Sequence, residues 1–409
     1  MNAPTVSAFD FSAPGAVQFN AGAPAIILEA STVHVLAWIY VDSAGLPADQ
    51  KVFSLSQSLI LGVGTGDGDV PMLYPEVWDN AGNRYTFQAG QIPTDQWSLV
   101  EMIWTQGQSL VGLVNGVQVQ SVPVSGNPLQ PPVAGGTSYV GAFWDGTSYP
   151  FCGMVQSVLL TNGADQTATQ GFVLQPSGAI SNWGPSGPVF MGGASTVTLD
   201  TPPSTPYVAP IQPPAPTYVG EQMPATVAAN TPFTMLVPGT DGSTYTILSI
   251  SQVWQQLVEL TGQPGLDTGY EVDVTTGVSI TDSETQTLGV SLGLESGFDI
   301  GVFSAKINLT LSYSVSYTEE LSISEATTIA KKFEIDKPDV TTTGVWWQGL
   351  PTITTFQVID NMNTVGACVQ DPLPEIAATV YPPQSQRTLK TVASAPAAKA
   401  DTARPSLRL

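Results

Sequence analysis

The chain has 409 residues, enough for two or three domains with separate cores, and only 11% of them are charged. A net charge of −22 argues against a nucleic-acid partner, which needs Lys and Arg for its phosphates, and against simple electrostatic docking on anionic lipid. With 39 Gly, 34 Pro and abundant Ser, Thr and Val, the composition favours many strands joined by turns over helical bundles.

The first residues lack a basic stretch followed by an apolar core, and no run of about 18 apolar residues occurs. Neither an ordinary secretory leader nor a transmembrane helix is therefore expected. A membrane role would rest on β-structure, in a protein secreted or released without a visible signal peptide. Cys152 and Cys368 fall in different regions and are expected to be buried free thiols, not a disulfide framework.

In residues 1–196, alternating apolar runs at 33–41, 52–63, 97–104, 109–114, 139–142 and 154–160 are separated by Gly, Asn, Asp and Pro. That pattern predicts an antiparallel jelly-roll sandwich. Asn115-Gly116 between two such runs is a hairpin turn dipeptide. His34, the only histidine, sits on an early strand and has no second histidine for metal or triad chemistry, so a structural role is expected. Asp67 and Asp69, in a Gly-rich acidic loop, have oxygens that calcium could use, but the spacing is not that of a full calcium loop, and an ordinary solvated turn is the favoured reading. No other cofactor is expected. Trp78 with Asp79 and Asn80, and Trp144 with Asp145, place rings beside polar loops as sugar stacking requires; the alternative is that both rings fill the sandwich core. Glu76 lies in the same turn-like stretch as Trp78.

Residues 197–224 are dense in proline and predict an extended, semi-rigid linker. Residues 225–385 predict an elongated long-strand β domain with one short helix at 249–260, stopped by Gly262, and a strand at 342–359. Residues 386–409, rich in Ala, Pro and Ser, are expected to be a disordered tail. The fold class is thus all-β.

Within the second domain, two very long alternating runs predict one antiparallel hairpin over about 272–325, turning near 299–300. Its oily band consists of Leu288, Val290, Leu292 and Leu294 against Ile307, Leu309 and Leu311, capped by Tyr313 and Tyr317. Small polar residues alternate with them: Ser291, Lys306, Asn308, Thr310 and Ser312, as a lumen requires. The tip carries Phe298, Ile300, Val302 and Phe303. The band is about 7–9 residues per strand, close to the 9–11 of a transmembrane strand. A lone hairpin leaves unpaired edges in lipid, so insertion demands a homo-oligomeric barrel. The alternative is an ordinary sheet whose oily face packs on its own domain.

Residues 92–116, with Trp97 leading to Asn115-Gly116, resemble laminin-G-like and concanavalin A-like sandwiches. So do residues 31–42 and the closing stretches 139–145, 150–153 and 158–160, the resemblance covering about 8–180. Ser98 and Glu101 depart from that pattern. The resemblance implies a binding role, often toward carbohydrate. The E-x-D-x-E strand of its catalytic relatives is absent, so no enzymatic activity is expected. Residues 272–335 and 344–359, including Ser283-Glu284-Thr285, resemble aerolysin-type β-pore-forming modules. Together the two resemblances imply a secreted pore-forming toxin-like protein: a lectin-like domain binds a cell-surface glycan or receptor, and the hairpin then inserts into membrane lipid. The alternative is a non-catalytic carbohydrate-binding or adhesion protein without insertion.

Overall fold

In a computed structural model of the chain, every named element among the described residues is a β-strand. The structure describes residues 6–19, 30–44, 46–56, 58–66, 69–131, 137–162, 169–175, 178–181, 189–200, 202–205, 211–238, 245–278, 326–358, 364–383 and 389–393.

Two antiparallel sheets face each other through residue 199. Among the described residues one has nine strands, centred on Trp97–Thr105, Thr32–Val41 and Gly153–Asn162. The other has eight and includes Asp49–Leu55, Leu59–Thr65, Pro71–Trp78 and Arg84–Thr86 in adjacent positions. Alternation puts Val35, Ile39, Val100, Trp104 and Val158 of the first against Phe53, Leu61 and Leu73 of the second, closing a dry core. Asn115 and Gly116, at φ 53° and 75°, form the turn that joins Ser109–Val114 to Val117–Pro123. The single run expected at 52–63 is two strands, because Ser56 at φ 44° turns the chain. The turn-like stretch around Glu76 is in fact strand, Pro71 and Pro75 having disguised its alternation.

A third sheet is built on one long ladder. Tyr245–Gly262 pairs with Thr342–Val358 along its whole length, from Tyr245↔Val358 to Gly262↔Thr342. At ~3.3 Å per residue the ladder is about 55 Å long. It overturns the helix expected at 249–260. A bulge between Gln256 and Val258 resets the alternation, and this spaces Val253, Trp254, Leu257 and Leu260 as a helix would. At one end Tyr245, Ile247 and Phe356 pack on Trp38, Leu99 and Leu159, outward residues of the nine-stranded sheet. At the other end Val258 and Trp346 pack on Val274, Phe333 and Ile335 of a smaller sheet.

That smaller sheet pairs Thr268–Thr276 with Thr327–Ile335 and adds Leu389–Ala393 on the free edge of the latter. The last strand corrects the expectation that all of 386–409 is disordered. Leu389 reaches the local core and Lys390 pairs with Asp336. The proline-dense segment likewise does not stand free. Pro203 O accepts Leu236 N, Thr205 N donates to Thr234 O, and Gly220 N donates to Thr343 Oγ1. Proline lacks a donor but keeps its carbonyl, so such a segment lies along a sheet edge as an acceptor. Cys152 is half-buried and Cys368 is exposed on an edge strand, which corrects the expectation of two buried thiols.

Asp371 follows the Thr364–Gln370 strand and is buried, its Oδ2 without a partner. Burial pushes its carboxyl up to about 6. The folded chain thus holds this proton more tightly than the unfolded chain, whose value is about 3.9. The stabilisation is complete below pH 3.9 and is lost as pH rises through 6, by roughly 3 kcal/mol. Asp371→Asn should therefore raise the melting temperature at pH 7.5 and leave it unchanged at pH 3.5; equal gains at both pH values would contradict this account.

Candidate functional site

Leu59, Leu61 and Val63 face the sandwich core, so Gly62 between them faces outward. The register places Lys51 and Tyr74 on either side of it. A Cβ at Gly62 would lie 2.8 Å from Tyr74 O and 3.4 Å from Lys51 Cδ. Glycine here lets the lysine stem lie across the sheet. Lys51 Nζ then reaches Glu76 Oε1 at 2.5 Å and Asp49 Oδ1 at 2.6 Å, while standing 4.6 Å from the Tyr74 ring centroid and 5.5 Å from that of Tyr149. Arg84 Nη2 donates to the second Glu76 oxygen, and also to Tyr74 OH at 3.0 Å. Its guanidinium lies 5.6 Å from the Trp78 ring centroid.

Lys51 is 1% exposed, a placement seldom seen without compensating charge. Here two carboxylates, Asp49 and Glu76, balance two cations. Partial burial works to lower the Arg84 pKa, but the Glu76 carboxylate and Tyr74 hydroxyl outweigh it and hold the value up. Lys51 and Arg84 are the sole Lys or Arg before Lys306, and both bond the same carboxylate. That scarcity is visible in the sequence and was the available signal for this cluster, which motif reading missed.

Trp78 and Trp144 are both half-buried and neither belongs to the sandwich core, so the core-filling alternative does not hold for them. Trp78 lies beside Arg84 on the outward face. Trp144 lies tilted against Phe143 at 4.3 Å between centroids, and Phe143 meets Tyr149 edge-on at 5.4 Å. Tyr149 O accepts Lys51 N, which fastens this aromatic loop at the ionic cluster. The two predicted rings thus flank one face.

The acids beside them have other work. Asp79 is buried and accepts from Ala81 N, Asn83 N, Asn83 Nδ2, Tyr85 OH, Ser125 Oγ and Asn127 Nδ2. Burial alone would raise its pKa, but these donors hold it well below the usual carboxylate range. With both oxygens spent clasping two loops, Asp79 is corrected from a ligand contact to a structural anchor. Asp145 similarly caps its own turn through Thr147 N and Ser148. Asn80 is exposed at the strand end.

Asp69 is exposed at φ 59°, and Asp67 lies outside the described residues. No three His, Cys, Asp or Glu side chains converge as a metal site among the described residues. The insertion-face set from Leu288 to Tyr317, the lumen set from Ser291 to Ser312 and the tip at 298–303 also lie outside them. What is described is the stem: Thr268–Thr276 and Thr327–Ile335 pair in continuous register, and Ala326 N donates to Val278 O beyond them. Gln348 Nε2 ties the stem to the third sheet by donating to Thr275 O and Leu373 O.

Residues 15–167 match the family model of the concanavalin A-like lectin/glucanases superfamily. No curated protein matches the chain in sequence. Among solved structures, a native heptameric SAP-like pentraxin from Limulus polyphemus is 15% identical at TM-score 0.34, covering 47% of this chain and 94% of that one. Cry35Ab1 is 16% identical at TM-score 0.31, covering 88% of this chain and 92% of that one. A sialidase CBM40 from Ruminococcus gnavus, bound to α2,6-sialyllactose, is 9% identical at TM-score 0.27, over 38% and 90%. The family match and the facing sheets agree on a concanavalin A-like, lectin-type sandwich in the first part of the chain.

Proposed function

We propose that the sandwich binds a cell-surface glycan on the outward face of its eight-stranded sheet, with no bond made or broken. The observation that carries this reading is the joining of a balanced ionic cluster to a set of rings on a lectin-type sheet face. Tyr149 is 46% exposed, and with Trp78 and Tyr74 it supplies surfaces on which the C–H face of a sugar stacks. Arg84, the more exposed cation, donates toward hydroxyls. Glu76 and Asp49 are both tied to Lys51, so neither stands free as the acid or base of a hydrolase.

The second half of the reading is that the hairpin of about 272–325 inserts as an oligomeric β-barrel after binding. Its support is the stem, whose two strands enter the intervening segment paired and in register. One observation favours the alternative of a binding or adhesion protein without insertion: Val274 and Val278, at the root of the oily face, are covered by the protein's own packing.

Two measurements test the halves separately. Trp78→Ala and Tyr149→Ala should each weaken glycan-array binding by about ten-fold or more without lowering the melting temperature; unchanged binding in both would remove this face from consideration. Leu292→Lys combined with Leu309→Lys should abolish dye release from glycolipid vesicles while glycan binding persists, since a lysine at mid-bilayer depth costs roughly 2–4 kcal/mol. Vesicles that stay dye-tight with the unaltered chain select the adhesion reading, and leakage that survives both lysines rules out this hairpin.

A further inference from the structure

A concave feature lies on the opposite side of the sandwich, away from Lys51, where the nine-stranded sheet meets the long ladder. It is a cleft of about 380 Å³ with walls from both units. The sequence explains why it is open. Tyr245, Ile247, Ser249 and Ser251 follow one another on one face of their strand. The first two are large and close the contact with Trp38 and Leu99; the next two are small and cannot.

Across the gap stand His34 and Glu101, with Leu36 and Leu99 beside them. His34 and Leu36 share a face of the Thr32–Val41 strand, and Leu36 is the register partner of Glu101. His34 Nε2 lies 2.9 Å from Glu101 Oε2, and both side chains are nearly covered. The far wall adds Phe356. The volume falls in the range of about 300–1,000 Å³ typical of small-molecule sites, and domain junctions are where such sites concentrate.

The chemistry of the lining selects the ligand class. The Glu101 carboxylate on the wall, with no Lys or Arg in the lining, disfavours anions. One carboxylate and one aromatic ring fall short of the cage that holds an organic cation. An acceptor, a histidine, five Ser and Thr hydroxyls and an apolar patch together suit a molecule with hydroxyls around its rim and C–H groups on its face. We infer that this cleft is a second binding site, distinct from the face proposed above, for a neutral polyhydroxylated molecule of monosaccharide size that contacts both units at once.

Saturation-transfer NMR and calorimetry on the full chain test this with neutral methyl hexosides, glucosamine and glucuronate as probes. A neutral hexoside should bind best. Glu101→Gln, which preserves shape, and Ser251→Trp, which fills the gap, should each weaken it by about ten-fold or more at an unchanged far-UV spectrum, while Trp78→Ala leaves it intact. Absence of neutral-hexoside binding at millimolar concentration, preference for the amine or the uronate, or binding that survives both cleft variants would overturn the inference. Loss in Trp78→Ala with retention in the cleft variants would also overturn it, by assigning the sugar to the other face.

Discussion

The ladder between Tyr245–Gly262 and Thr342–Val358 is the constraint on which the rest of the molecule depends. Neither end could bury its apolar residues alone. At one end Tyr245 and Ile247 need the outward side of the nine-stranded sheet; at the other Val258 and Trp346 need the stem. Between them Trp347 and Val345 pack with Met223 and Trp254, and the indole of Trp254 donates to Ile211 O in the proline-dense segment. A sheet with apolar demands along both faces fixes where everything else docks.

The contact at the sandwich end is less complete than its apolar residues suggest. Trp38 Nε1 and Tyr245 OH are buried there without hydrogen-bond partners among the described residues, and burial holds the Tyr245 phenol protonated well above its usual pKa. Each orphan of this kind costs about 1–3 kcal/mol. The neighbouring cleft, with its small hydroxyl residues, continues the same pattern of apolar contact interrupted by polar gaps.

Much of this architecture was legible in the chain. Alternation alone located Thr32–Val41, Trp97–Thr105 and Ser109–Val114, because each has one face in a dry core and one face elsewhere. It failed where a local device altered the period: the bulge at Leu257 imitated a helix, and two prolines hid the strand that carries Glu76 and Trp78. The aromatic half of the candidate face was readable as rings beside polar loops. Its ionic half was signalled only by the scarcity of Lys and Arg, since Lys51 lies 25 residues from Glu76 and the two meet with Arg84 only through strand register. Asp79 shows the converse error. An acid beside a tryptophan resembles a ligand contact, and only its six donors reveal an anchor.

The supernumerary residue at the bulge has a consequence for handedness of presentation. Above it the odd-numbered side chains from Tyr245 to Val253 point one way; below it the even-numbered Val258 and Leu260 point that same way, toward the stem. Were Leu257 instead taken into the ladder as an ordinary paired residue, every side chain beyond it would invert. Glu259 would turn into the apolar seam at the stem and Leu260 away from it. By leaving one residue unpaired, the bulge thus acts as the parity bit of the strand, keeping both ends of a rod about 55 Å long answering to the same side.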